Sequence, residues 1–329
     1  MRLGEARRHA LLLGAGTMVV LALAAASLTV GVFDLSWRGL LEGGEGRLDA
    51  LVLLASRAPR TIAVLLVGAS MGVAGLLMQL LSRNRFVAPS TAGTVESASL
   101  GILVAMLLAP GAPVMVKMLI AAAFALAGTA LLMTIVRRTP LASPLVVPLI
   151  GLMLGGVIGA ATTFIAYRFD LLQSLASWTT GDFSRVLRGR YELLWLGGGL
   201  TALAYLAADR FTVAGMGESF TKNLGLDYRR VMVLGLVIVA LVTAVNVVTV
   251  GNVPFIGLVV PNVVSLLVGD NVRRAVPWIA LFGAGFVLAC DLLGRTLRYP
   301  YEVPVGTVIG VVGAALFLFL LLRRSARVG

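Results

Sequence analysis

Gly251-Asn252-Val253-Pro254-Phe255-Ile256-Gly257-Leu258-Val259-Val260-Pro261-Asn262 is apolar enough for a bilayer, yet glycine and proline interrupt it repeatedly. Lipid offers no hydrogen bonds, so irregular backbone survives at membrane depth only where it is buried in protein or lines a cavity. The stretch therefore belongs to a protein that opens a path through a membrane.

Composition agrees. Of 329 residues, 59% are hydrophobic and only 13% charged, with a mean hydropathy of +0.99. A soluble domain carries about 25% charged residues. The long apolar runs leave almost no chain for a soluble domain, so residues 1–329 read as one all-α transmembrane domain. The net charge of +12 does not indicate nucleic acid, because the basic residues punctuate loops between spans rather than forming a stripe on a soluble face. Cys290 and His9 are the sole cysteine and histidine, which excludes an internal disulfide and a Cys/His metal site. Any iron in the cargo must bring its own ligands. The chain has no P-loop, no Gly-x-Ser-x-Gly elbow and no His-Glu-x-x-His, so transport is expected rather than catalysis, with no cofactor on this chain.

A spanning helix needs about 20 apolar residues. That ruler gives ten candidates, the eighth of them short and following the interrupted stretch: 10–33, 60–81, 92–109, 114–136, 144–167, 191–208, 229–250, 255–268, 275–294 and 303–322. The first follows basic Arg7-Arg8 and also fits a signal peptide, but its apolar run exceeds the 7–15 residues of a signal core, so a retained span is expected. Ten spans place both termini on one side. With that side inside, 16 of the 27 Lys and Arg residues are cytoplasmic, including the pairs at 137–138, 229–230, 273–274 and 323–324. The positive-inside rule thus favours cytoplasmic termini. The longer outside loops are 34–59 and 168–190; the longest inside loop is 209–228. That inside loop reads as a short polar helix pair, with Glu218 and Lys222 spaced to meet on one face. On pattern alone it could equally be a solvated connector.

Glu96 and Asp291 fall within spans, where an acid costs about 2.5–3.5 kcal/mol on insertion scales. Asp291 has Arg295 four residues on, a structural pair. Glu96 has no local cation. It could bind a cation or proton, or be satisfied by Thr94, Ser97 and Ser99. Arg57 and Arg60 flank Pro59 at an outer mouth, placed to anchor to lipid headgroups or to dock an acidic partner. Gly68-x-x-x-Gly72, Gly151-x-x-x-Gly155-x-x-x-Gly159 and Gly306-x-x-x-Gly310 are spaced for tight helix crossings.

Taken together, several segments resemble the permease subunits of ABC importers for iron-siderophores, haem and cobalamin. The carriers are Arg57-Ala58-Pro59-Arg60 with Gly68, Gly75, Gln79 and Asn84; Trp178-x-x-Gly181; Phe255-Ile256-Gly257-Leu258-Val259-Val260-Pro261; and Asp291-x-x-x-Arg295 followed by Pro300–Gly306. They occur in the family's order across about residues 50–322. The chain departs from the family where Pro-His-x-x-Arg reads Pro261-Asn262-x-x-Ser265 and where Asn-Pro-Leu reads Asn84-Arg85-Phe86. These variants resemble the catecholate-siderophore branch.

The resemblance implies a type II importer architecture in a bacterial cytoplasmic membrane, with ten helices per chain and a second permease chain, identical or homologous. It implies a cytoplasmic ATPase dimer, which binds the ATP, and an extracytoplasmic siderophore-binding protein. Loop 209–228 would couple to the ATPase through Gly215, Gly217, Glu218, Lys222, Gly225 and Leu226. Arg57, Arg60 and Arg295 would dock the binding protein. Asn84, Arg85, Phe86 and Ser143 would form gates, with Glu96, Pro261 and Asn262 along the pathway. Haem or cobalamin remains an alternative cargo, an ion-coupled carrier using Glu96 an alternative mechanism, and a membrane-embedded enzyme a third class.

Overall fold

The computed structural model describes residues 3–31, 46–139, 146–189, 191–269 and 271–325. Among these the chain is helical, with only two isolated β-bridges. The first helices are α1 (Leu3–Thr29), α2 (Gly46–Val52), α3 (Ala58–Leu81), α4 (Thr94–Leu108) and α5 (Val114–Arg138). Next come α6 (Val146–Arg168), α7 (Leu172–Thr179), α8 (Leu194–Leu206), α9 (Ala208–Gly215) and α10 (Glu218–Asn223). The last are α11 (Tyr228–Val250), α12 (Ile256–Val268), α13 (Val272–Thr296) and α14 (Val305–Ser325).

Among the described residues, seven helices are long and apolar enough to cross a membrane, and α4, α8 and α12 are shorter apolar helices. Together these occupy the ten expected spans. The α3 span is the centre of the bundle, 72% buried against 11% for α1 and 22% for α6. It packs on α8, α11, α12 and α13. Its small residues permit this: a methyl at Gly68 would lie 2.3 Å from Gly283 O, and one at Gly75 would lie 2.1 Å from Gly257 O. Such approaches let backbones touch in lipid, where association relies on packing. Peripheral α6 instead exposes Leu152, Met153 and Phe164.

Two prolines shape the helices that matter most. Pro59 cannot donate to Ala55 O, four residues back. A π-helical turn, Leu53–Arg57, precedes it, and the freed carbonyl accepts from Arg188 N at 3.0 Å. Pro261 likewise leaves Gly257 O without its helical donor. Gln79 Nε2 supplies one at 3.2 Å.

Two expected loops are partly helical. Residues 46–57 continue into α3, because the π turn absorbs Pro59 without breaking the rod. Within 168–190, α7 turns back, and the segment after it lies along the interrupted stretch between α11 and α12: Asn252 N donates to Thr179 O at 3.2 Å, and Asp182 N to Val250 O at 2.8 Å. This long-range pairing has no local sequence signal.

Candidate functional site: a buried ion cluster, the loop after α3 and a surface helix pair

At the start of α3, motifs far apart in sequence converge. Arg60 donates from Nε and Nη2 to Asp291 Oδ1, at 3.1 and 2.8 Å, and from Nη1 to Glu302 Oε2 at 2.7 Å. Arg295 Nη2 bonds the other oxygen of Asp291. Arg295 Nη1 also donates to Ser27 O and Val30 O, while Arg57 Nη1 donates to Leu28 O and Thr29 O. The last carbonyls of a helix lack partners within the helix and carry partial negative charge. Two guanidinium groups therefore cap α1. Arg57, Arg60 and Arg295 are only 5–8% exposed, so their charges are spent inside the chain. The expected Asp291–Arg295 pair is present as half of a four-charge cluster.

At the opposite end of α3 the chain closes with a Schellman turn. Arg83 N donates to Leu80 O and Asn84 N to Gln79 O, with Arg83 at a left-handed φ of 51°. Asn84 Oδ1 then accepts from Phe86 N at 2.9 Å, fixing the loop. Asn262 Nδ2 donates to Arg85 O at 2.9 Å, and Arg85 Nη1 to Ser265 Oγ at 3.1 Å. Phe86 meets Phe317 of α14 edge-on. The structure thus brings Asn84, Arg85 and Pro261 to the wall of a cavity of about 330 Å³, with Phe86 and Asn262 bonded to the same loop. Ser143 lies outside the described residues.

Gly215 lines the same cavity, which places α9 beside this loop. Arg83 reaches the turn between α9 and α10, its guanidinium 3.4 Å from where a side chain on Gly217 would begin. Gly217 has φ 113°, a value that favours glycine. Glu218 and Lys222 form their expected pair at 2.9 Å, which holds the Lys222 ammonium above the ordinary lysine range. A second Schellman turn ends α10: Gly225 N donates to Lys222 O and Leu226 N to Thr221 O, with Gly225 at φ 76°. Thr221, buried, ties the pair together by donating to Gly217 O and Val213 O. Met216, Phe220 and Leu224 are 56%, 47% and 57% exposed and spaced four apart. They form an apolar ridge that the sequence reading missed, although the spacing was legible.

The interrupted stretch is itself a junction. Gly181, Asn252 and Gly306 meet backbone to backbone, with Gly306 N donating to Gly181 O at 2.8 Å. Phe255 begins α12 at φ 63°, a strained conformation for a bulky residue. Glu96 is elsewhere, in the first turn of α4, where the helix dipole favours negative charge. It faces α6 across a cavity of about 390 Å³. Among the described residues, no three His, Cys, Asp or Glu side chains converge on a metal position.

A central helix crossed by an interrupted helix, with the loop after α3 lying beside a surface helix pair, is the architecture of a polytopic membrane protein. The same fold is seen in a solved inward-facing metal-chelate type ABC transporter, with a TM-score of 0.79 at 23% identity over 95% of this chain and 99% of that one. The FecCD transport family matches residues 18–323, and the chain belongs to that family. Petrobactin import system permease protein YclN of Bacillus subtilis is 49% identical, over 94% of this chain and 97% of its own. Petrobactin import system permease protein FatD of Bacillus anthracis is 41% identical, over 93% and 90%. Ferric-anguibactin transport system permease protein FatD of Vibrio anguillarum is 40% identical, over 92% and 95%.

Proposed function

We propose that this chain is the membrane-spanning permease of an ATP-binding-cassette importer that carries a ferric siderophore of the catecholate type into the cytoplasm, powered by a separate ATPase. The relatives named for petrobactin and anguibactin support a siderophore cargo over haem or cobalamin. The observation that carries the ATP-driven reading is the helix pair α9–α10, whose Gly215 shares a cavity with Asn84, Arg85 and Pro261.

The ridge Met216, Phe220 and Leu224 docks on the ATPase, with Gly217, Glu218, Lys222, Gly225 and Leu226 holding its shape. Nucleotide-driven movement of the pair pushes on Arg83, then on the Asn84–Phe86 loop that Asn262 and Ser265 tie to α12. Two helix bundles rock between outward and inward states about such packed contacts. The strained Phe255 start of α12 is a hinge for this motion. No covalent chemistry falls to this chain.

At the other face, Arg57, Arg60 and Arg295 serve the binding protein indirectly. They hold in place the exposed turn Leu297–Tyr301, and that turn makes the contact. The chain sits in a bacterial cytoplasmic membrane with both termini inside, and pairs with a second permease chain.

A mild-detergent pull-down of the tagged chain from native membranes, read by mass spectrometry, tests the assembly. A P-loop ATPase and a permease chain in stoichiometric amount are expected. Recovery of the chain without any ATPase across several detergents would overturn the reading.

A further inference from the structure

The first span touches the rest of the bundle chiefly through α13, and only 11% of it is buried. Two glycines set that crossing. A methyl on Gly16 would lie 2.9 Å from Leu281 Cδ2, and one on Gly285 would lie 3.1 Å from Val20 Cγ2. Along the crossing runs a groove of about 350 Å³, walled by Val19, Val20 and Leu23 of α1 and by Trp278, Leu281 and Phe282 of α13. Val19 and Phe282 are exposed on its rim. The one polar side chain on the wall is the Trp278 indole, whose N–H already donates to His9 Nε2 at 2.9 Å. The side chains of the wall therefore offer an occupant no hydrogen bond, and only an apolar chain suits the groove.

Position and charge say which molecule supplies that chain. Both walls are spans, so lipid surrounds them. Helices that dock in lipid bring small residues to the contact. Here the glycines are already used between α1 and α13, and bulky Val19 and Phe282 face outward, which fits an acyl chain better than another helix. From Trp278 to Phe286 the wall is about 12 Å long at a rise of about 1.5 Å per residue. That fits within one leaflet of a core about 30 Å thick. Cations stand in line with it. Arg274, Trp278, Leu281 and Gly285 recur at steps of four, three and four on α13, and Arg8 precedes Val19 by three whole turns of α1. Both arginines are exposed. The His9–Trp278 contact, with ring centroids 5.4 Å apart, ties their two helix ends together. Nearby, Asp209 is taken by Arg273 at 2.7 Å, and Glu5 lies a turn beyond His9, further from the groove. A guanidinium fork matches phosphate oxygens, and basic pockets between spans at a membrane surface hold anionic headgroups.

We propose that the α1–α13 groove binds an anionic phospholipid, with one acyl chain seated between Val19 and Phe282 and the phosphate held by Arg8 and Arg274. The inference rests on the membrane-spanning fold and not on ATP coupling, so loss of the importer reading would leave it standing.

The test reconstitutes the full chain in phosphatidylcholine vesicles that carry a minor fraction of phosphatidylglycerol with brominated acyl chains. Bromine quenches tryptophan fluorescence at contact, and subtracting the signal of Trp278→Phe isolates Trp278. Brominated phosphatidylglycerol is expected to quench Trp278 several-fold more than the same fraction of brominated phosphatidylcholine. The double variant Arg8→Gln, Arg274→Gln changes only exposed side chains and should make the two lipids equal. Arg8→Lys, Arg274→Lys keeps the charge and should keep most of the preference. If Trp278→Phe does not fold, native mass spectrometry of the detergent-purified chain gives the same comparison: phosphatidylglycerol retained by the wild type and lost from the glutamine variant. Equal quenching by both lipids in the wild type would overturn the site, leaving ordinary bilayer lipid in the groove. Quenching by neither would also overturn it, and would mean that a second copy or another protein covers the groove. So would an undiminished preference in the glutamine variant.

Discussion

Gln79 makes the hydrogen bond that Pro261 cannot. Its Nε2 donates to Gly257 O at 3.2 Å, the carbonyl that an ordinary residue at 261 would engage through its own N–H. Gly75, one turn earlier on α3, lets Gly257 come within reach. Gly75, Gln79, Gly257 and Pro261 are thus one device: a helix interrupted at membrane depth and repaired by its neighbour. The repair sits on the wall of the cavity shared with Gly215.

This pairing predicts non-additivity. Gln79→Leu should destabilise the chain by about 1–3 kcal/mol, the cost of a buried carbonyl left without a donor. Pro261→Ala restores a backbone N–H to that carbonyl, so in its background the Gln79→Leu penalty should largely vanish. Thermal midpoints of the two single variants and the double variant in detergent form the cycle. Additive effects would show that the bond to Gly257 contributes nothing.

Helix crossings set a second expectation. Gly75→Ala places a methyl 2.1 Å from backbone that cannot move aside, whereas a methyl at Gly14 meets nothing within 4 Å. The first variant should lose folded yield in the membrane and the second should not, as read by size-exclusion chromatography of detergent extracts. Equal yields would mean that the α3–α12 crossing is slack.

The buried ion cluster predicts what charge reversal does. Arg60→Glu would set three carboxylates together, with Asp291 and Glu302, and strand Arg295 beside only one of them. Breaking a buried pair costs about 3–5 kcal/mol. The variant should fail to fold before its docking can be measured. Arg298→Glu lies on the exposed turn, so it should fold normally and weaken binding-protein affinity at low salt. Well-folded Arg60→Glu would contradict the cluster's structural role.

For coupling, Phe220→Asp should leave the chain folded, since Phe220 is 47% exposed, while lowering ATPase co-purification at least several-fold. Gly225→Pro should disrupt the α10 turn, because proline fixes φ near −65° and Gly225 sits at 76°. ATP hydrolysis that no longer drives uptake is the expected phenotype. Full uptake by both variants would remove α9–α10 from the coupling route.

The ten spans were legible because twenty apolar residues have few other fates, and the interruption at 251–261 was legible from its glycines and prolines. Glu218 with Lys222 and Asp291 with Arg295 were readable as four-residue pairs. What stayed hidden was long-range. Nothing local says that Asp291 divides its oxygens between Arg295 and Arg60, or that Arg188 answers the carbonyl freed by Pro59. The arginines at 57, 60 and 295 read as surface cations because they flank spans; in the fold they are consumed capping α1 and pairing with acids. The departures at Arg85, Asn262 and Ser265 read as marks of one branch of the family, and in the fold Arg85 bonds to both of the others.

The central claim is ATP-driven import. Its most direct test is uptake of a radiolabelled ferric catecholate siderophore into proteoliposomes holding the co-purified complex, with the binding protein outside and nucleotide inside. The account predicts uptake that requires ATP, persists when a protonophore and a sodium ionophore collapse ion gradients, and is lost in Phe220→Asp. Uptake that proceeds without nucleotide and disappears with the ion gradients would contradict it.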